Sequence, residues 1–232
     1  LGFRKVENHY IPVAPAGYSD NIHAECMVID TGLSEIEARR EGISALTSRD
    51  VIGVAVLEGK AYSDNASLVE NLHKMQNNIL GMEIADEHFG RPKLSFVYRD
   101  TKGSPRGYIL AYEGVQKNQQ FVFIDDLATD RESKMAGGRL IKQFFDAYAE
   151  GYGTEARPYL PIFTNARDKT SFPILERHAE RLAKEKGLKA KVIEIGTHMR
   201  GEDVLHDVVV VIGKTDEELA TQEERMRTAL GS

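Results

Sequence analysis

At 232 residues, with 41% apolar and 28% charged side chains and a formal net charge of −6, the chain can build a substantial core and lacks the overall basic character that draws proteins to nucleic acid nonspecifically. A single cysteine, Cys26, excludes an internal disulfide and a multi-cysteine zinc site. No apolar run reaches the roughly 18 residues of a membrane span and no basic-then-apolar leader opens the chain, so the sequence reads as cytoplasmic, with no nucleic-acid or membrane partner.

In chain order, Pro12 and Pro15 interrupt the first thirty residues, and positions 26–29 form a short apolar run. His23-Ala-Glu25 has the form of half a deaminase zinc motif, but without a P-C-x-x-C partner it gives no metal site. Ser34-x-x-Glu37 has the form of a capping box and predicts a helix over positions 32–46, weakened by Gly42. Leu68, Leu72, Met75 and Ile79 recur at helical spacing and predict a second helix around 64–82, packed on a sheet, with Met75 and Met82 as core residues.

Beyond Gly90-Arg91-Pro92 the period changes to that of strands. LSFVY (94–98) and GYILAY (107–112), joined by RDTKGSPR, predict an antiparallel hairpin, and FVFIDDLATD (121–130) a third strand. In GGRLIKQFFDAY (137–148), Leu140, Ile141, Phe144, Phe145 and Tyr148 make one apolar helical stripe. Gly137 and Gly138 stand in the first turn of that helix, where a ligand can approach backbone N–H groups that favour phosphate. YLPIFT (159–164) predicts a strand parallel to 121–130, because the helix between them has the length of a right-handed crossover.

Phe172, Leu175, Ala179 and Leu182 then line a helix capped by Thr170 or Ser171 and ended by Gly187. KVIEIGTH (191–198) and DVVVVIG (207–213) predict a closing hairpin, and 216–230 a terminal helix. The expected fold class is α/β (α+β), a mixed, mostly antiparallel central sheet flanked by helices, with a helical N-terminal extension.

This order of hairpin, third strand, phosphate-facing helix, splayed parallel strand, helix and final hairpin resembles the GNAT N-acetyltransferase superfamily over residues 94–213. The resemblance implies acetyl-CoA as co-substrate and a primary amine on a small molecule, peptide or protein as acceptor. Its phosphate loop, Q/R-x-x-G-x-G/A, aligns with Glu132, Ser133, Lys134, Met135, Ala136 and Gly137, followed by Gly138 and Arg139. Met135 stands where the family has its first glycine. Leu127, Ala128 and Thr129 align with the strand that pairs with the pantetheine arm, and Asn165 with the exit of the next strand. The family's N-x-x-A/S-x-x-L/F-Y reads Asn165-x-x-Asp168-x-x-Ser171-Phe172 here, so phenylalanine replaces the tyrosine that protonates the departing thiolate. Ser171, water or another tyrosine then takes that task, or the chemistry is lost and the chain is an acyl-CoA sensor or interaction module.

An attacking amine must be neutral, which requires a base. Asp125, Asp126 and Glu113, at strand ends, are the candidates, and strand alternation predicts that Asp125 and Asp126 face opposite sides. Both are also charges favourable to the dipole of the following helix. The expected organisation is a segment 1–90 packed on or extending the core, an acyl-CoA-binding core 91–214 and a C-terminal helix 215–232. The first ninety residues exceed what such a core needs and are available for an acceptor pocket or a homodimer surface. The acidic balance suits a cationic acceptor.

Overall fold

A computed structural model describes residues 2–5, 27–30, 42–61, 67–130, 132–133, 135–166, 172–200 and 203–231. The chain forms two compact units, Leu1–Arg40 and Glu41–Ser232. In the first, β1 (Gly2–Lys5) and β2 (Met27–Asp30) pair antiparallel, with Gly2 opposite Asp30. The capping box at Ser34 and the His23-Ala-Glu25 pair lie outside the described residues.

The second unit is one seven-stranded sheet with helices on both faces. Its elements are β3 (Gly42–Ala45), α1 (Val51–Ala61), α2 (Leu68–Phe89), β4 (Phe96–Arg99), β5 (Pro105–Gln116), β6 (Gln119–Thr129), α3 (Ala136–Gly151), β7 (Ile162–Ala166), α4 (Phe172–Lys186), β8 (Lys189–Arg200), β9 (Asp203–Gly213) and α5 (Asp216–Leu230). The strand order is β3-β4-β5-β6-β7-β9-β8, antiparallel throughout except for the β6–β7 pair. The expected hairpins, the crossover through α3 and the parallel pair are all present.

The helix expected over 32–46 is corrected at its end. Gly42–Ala45 is a strand, with Gly42 at φ +142°, far from helical backbone, and Ile43 opposite Tyr98 of β4. Pairing with the edge of β4 satisfies the backbone groups of Gly42–Ala45 in an extended ladder. The next helix, α1, was masked in the sequence by Val51, Ile52, Val54 and Val56, branched residues that suit strands. It follows a 3₁₀ turn, Ser48–Asp50, in which the Thr47 amide donates to Asp50 Oδ2 at 3.0 Å. Gly53 lets α1 press on the start of β5, because a Cβ there would come within 2.6 Å of Pro105 Cγ.

Alternation assigns the helices to faces. Ile109 and Ala111 of β5, with Val122 and Ile124 of β6, pack against Leu140, Phe144 and Tyr148 of α3 and Leu175, Ala179 and Leu182 of α4. On the opposite face Tyr108 and Leu110 meet α1 and α2 through Val54, Leu57, Met75 and Ile79. Phe121 and Phe163 meet α5 on that same face through Leu219 and Met226. Phe123 joins these two groups, lying edge-on to Tyr112 at 5.8 Å and stacked on Phe163 at 5.4 Å. Helix α2 starts at a capping box, the Ser67 amide donating to Glu70 Oε2 at 2.6 Å, and stops at left-handed Gly90.

Candidate functional site

The site is built where β6 and β7 stop pairing. Their ladder holds only Val122↔Ile162, Phe123↔Phe163 and Ile124↔Thr164, although β6 continues to Thr129 and β7 to Ala166. The Thr164 hydroxyl donates to the Ile124 carbonyl at 3.0 Å and closes it. On the other edge of β6 the register with β5 jumps from Leu110↔Asp126 to Ala111↔Ile124, which makes Asp125 the extra residue of a β-bulge. A bulge bends its strand and increases its twist, so the strand turns away from β7 at the position where the parallel ladder ends.

The bulge also overturns the expectation that Asp125 and Asp126 face opposite sides. Asn78 Nδ2 donates to Asp125 Oδ2 at 3.2 Å and Lys74 Nζ to Asp126 Oδ2 at 3.3 Å. Lys74 and Asn78 stand one turn apart on α2, so both carboxylates share the face that carries α1 and α2. Asp125 is half-buried and Asp126 only 7% exposed.

Asp126 belongs to a buried polar cluster. Tyr108 Oη lies 3.0 Å from Asp126 Oδ2 and also contacts Glu58 of α1, and Lys74 Nζ contacts both carboxylates. Glu58 is 2% exposed. Burial, then the neighbouring charge of Asp126, push its carboxyl up to about 7 against the pull of Lys74 and Tyr108. On the same face burial and the charge of Asp125 push the Tyr112 hydroxyl up to about 12, so it stays protonated at neutral pH. Glu58, Lys74, Asn78, Tyr108 and Tyr112 were not among the sequence candidates. One signal was readable: Asn71, Lys74 and Asn78 recur at helical spacing beside the apolar stripe of α2.

The start of α3 faces the same end of β6. Arg106 fixes the connecting turn, its Nε bonding Asp100 Oδ2 and its Nη1 bonding Asp130 Oδ2, each at 2.8 Å. The Ser133 amide donates to the Asp130 carbonyl, the Ala136 amide to Ser133 and the Arg139 amide to Met135. Gly137 and Gly138 stand between the last two, in the turn whose N–H groups have no acceptor within the helix. A Cβ on Gly137 would lie at ordinary contact, 3.6 Å from Thr129 Cγ2, and one on Gly138 would meet nothing within 4 Å among the described residues. Met135 is 69% exposed ahead of them. Arg139 is exposed with its guanidinium 5.8 Å from the centre of the Tyr98 ring.

The remaining expected residues divide. Leu127 packs toward the α3 face, whereas Ala128 is buried on the α2 face and Ala136 is buried at the start of α3, so both can offer a ligand only backbone. The Asn165 side chain donates to Asp207 Oδ1 at 2.6 Å, and Asp207 lies 3.0 Å from His198 Nδ1. Glu113 does not join Asp125 and Asp126. It sits opposite Val122, accepts from Tyr152 Oη at 2.6 Å and pairs with Arg91 at 3.0 Å, near the C-terminal end of α3. Alternation sends it to the other face, away from Asp125 and Asp126. The rings of Phe172 and His206 stand nearly perpendicular, with centroids 6.0 Å apart. Lys134 and Ser171 lie outside the described residues.

No family model and no curated protein matches the chain. Among solved structures it is similar to Chaetomium thermophilum Naa20 in complex with a bisubstrate analogue, at 14% identity over 78% of this chain and 90% of that one, with a TM-score of 0.43. It is similar to the Escherichia coli GNAT family N-acetyltransferase YhbS in complex with CoA, at 19% identity over 61% and 72%, with a TM-score of 0.40. It is also similar to the phosphinothricin acetyltransferase Pat of Sinorhizobium meliloti in complex with AcCoA, at 13% identity over 75% and 88%, with a TM-score of 0.43. Hairpin, third strand, glycine-started helix, parallel strand with a short ladder, helix and closing hairpin follow one another in the order expected from the sequence.

Proposed function

We propose that the chain is an acyl-CoA-dependent N-acyltransferase that moves acetyl from acetyl-CoA to a primary amine on a small molecule, peptide or protein. The observation that carries this reading is the coincidence of three features: the bulge at Asp125, the end of the β6–β7 ladder at Ile124 and the glycine-bearing start of α3. Glycine inside a helix costs about 1 kcal/mol relative to alanine, and at Gly138 nothing among the described residues excludes a methyl group. A ligand that must approach the backbone accounts for that choice.

In this reading the Gly137 and Gly138 amides, with the helix dipole behind them, hold the diphosphate of the coenzyme. Arg139 and Lys134 are the basic residues assigned to that end, and residues 127–129 run beside the pantetheine arm, as Asn165 does at the exit of β7. The coenzyme, when bound, supplies an activated thioester. Asp125 is the base that receives the acceptor's proton, being the less buried of the two bulge carboxylates. Tyr112, held protonated on the same face, is the donor assigned to the departing sulfur in place of the missing tyrosine. Catalysis beyond these proton transfers comes from holding the amine against the thioester carbon. The carboxylates of the bulge suit a cationic acceptor.

The test is release of free thiol from acetyl-CoA by the purified chain with a panel of polyamines, aminoglycosides, lysine peptides and free peptide N-termini. Amine-dependent release supports the assignment, and binding of the coenzyme without release by any amine contradicts it. The second outcome is the one expected of a coenzyme sensor or interaction module, a reading favoured by Phe172, which packs on His206 and has no proton to give.

A further inference from the structure

Tyr108 has a single hydroxyl proton, yet its oxygen is within hydrogen-bond reach of carboxylate oxygens on both Glu58 and Asp126. It donates to one of them. The contact with the other is a hydrogen bond only when that carboxyl itself carries a proton and donates back. Lys74 Nζ touches the same two residues and adds donors without changing this count. The groups come from four elements: Glu58 from α1, Lys74 from α2, Tyr108 from β5 and Asp126 from β6. Asp125, bonded to Asn78 of α2, is the nearest further carboxylate along β6. Glu58 and Tyr108 are almost wholly buried, whereas a third of the Lys74 side chain reaches solvent.

We propose that Glu58 and Asp126 share one exchangeable proton across Tyr108, and that Glu58 thereby acts as a positioning residue that sets when Asp126 and its neighbour Asp125 can take a proton from the acceptor. The second half rests on the acyltransferase reading. The step is a proton transfer alone. An N–H bond of the acceptor ammonium breaks, an O–H bond forms on Asp125 and the amine becomes neutral; as that O–H bond breaks in turn the proton passes to Asp126, and the Glu58–Asp126 pair goes from doubly ionised to singly protonated. The proton returns to solvent past Lys74. Burial of Glu58 beside Asp126 raises its affinity for that proton in the same direction.

Carboxyl-carbon NMR of the free chain, across a pH titration and with no coenzyme present, tests the first half. The Glu58 resonance is expected to titrate at least one pH unit above the ordinary value of about 4.3, together with a response at Asp126. Titration of Glu58 in the ordinary carboxylate range overturns the shared proton. The second half is read from the pH profile of kcat/KM in Glu58→Gln. The acid limb is expected to move down by more than one pH unit and the plateau to fall about tenfold. A lowered plateau with an unmoved limb is the mark of a merely structural residue and overturns the positioning role. A chain that shows the shared proton but turns over no amine overturns the acyltransferase reading and the acceptor step with it, and leaves the titration to decide the shared proton by itself.

Discussion

Asp125 and Asp126, adjacent in β6, reach toward the same helix: Asp125 accepts from Asn78 at 3.2 Å and Asp126 from Lys74 at 3.3 Å, one turn apart on α2. A regular strand would have separated them, and the bulge at Asp125 sets two carboxylates side by side where the β6–β7 ladder stops. If Asp125 receives the acceptor's proton, Asp125→Asn keeps the shape and removes the base. Its kcat/KM is expected to fall on the order of 10²-fold or more, while the affinity for acetyl-CoA stays within about twofold, since the base belongs to the amine's side of the reaction. Steady-state kinetics with coenzyme titration checks this, and an unchanged kcat/KM would remove Asp125 from the mechanism.

Tyr108→Phe takes one hydroxyl from between two buried carboxyl groups. The partners it leaves behind cannot reach water at Glu58, so the substitution is expected to cost about 1–3 kcal/mol. Urea unfolding at neutral pH measures it. A midpoint equal to that of the wild type would mean that the cluster contributes nothing through Tyr108.

The raised carboxyl of Glu58 fixes the sign of a pH effect on stability. Folded Glu58 keeps its proton up to about 7, whereas the unfolded chain releases it near the ordinary value of 4.5. Stability from that bound proton is therefore fully present below the unfolded value and is lost as pH rises through about 7. Glu58→Gln has no proton to lose. Between about pH 5 and pH 8 the wild-type Tm should fall relative to that of Glu58→Gln by roughly 2–8 °C, given about 2–4 °C per kcal/mol for a chain of this size. Differential scanning calorimetry across that range gives parallel curves if the prediction is wrong.

Gly107 seats the first turns of α3 on β5. A Cβ there would lie 3.1 Å from both Leu140 Cδ1 and Thr129 Cγ2 and 3.3 Å from the Ala128 carbonyl. Gly107→Ala should cost about 1–3 kcal/mol as overpacking. It should also weaken coenzyme binding, because the same contacts set where the glycines of α3 stand relative to Thr129. Denaturant melts and a coenzyme titration read the two effects, and wild-type values in both would show that α3 is not seated through Gly107.

The parts legible in the sequence were those written in local periodicity. Leu140, Phe144 and Tyr148 announce α3 by their spacing, and the run from Phe121 announces β6. Gly42–Ala45 failed because pairing with β4, distant in sequence, decides that strand. The bulge could not be read at all, because only the register with Leu110 and Ala111 reveals the extra residue. Glu113 was misplaced for a related reason. A strand end is evident in sequence, but which end of the sheet and which face it occupies follow from pairing. Glu58 leaves a trace in the sequence, the lone carboxylate of VIGVAVLEGKA, two residues before its one cation, Lys60.

Calorimetric titration of acetyl-CoA into the purified chain and into Gly138→Asp tests the central claim most directly, since the glycine's Cβ position is open among the described residues and the variant can fold while carrying a carboxylate into the anion site. Binding with a micromolar Kd by the wild type, weakened at least tenfold in Gly138→Asp, is the predicted result. A folded wild-type chain that binds no acetyl-CoA, or a variant that binds it equally well, would contradict the placement of a coenzyme site at the start of α3.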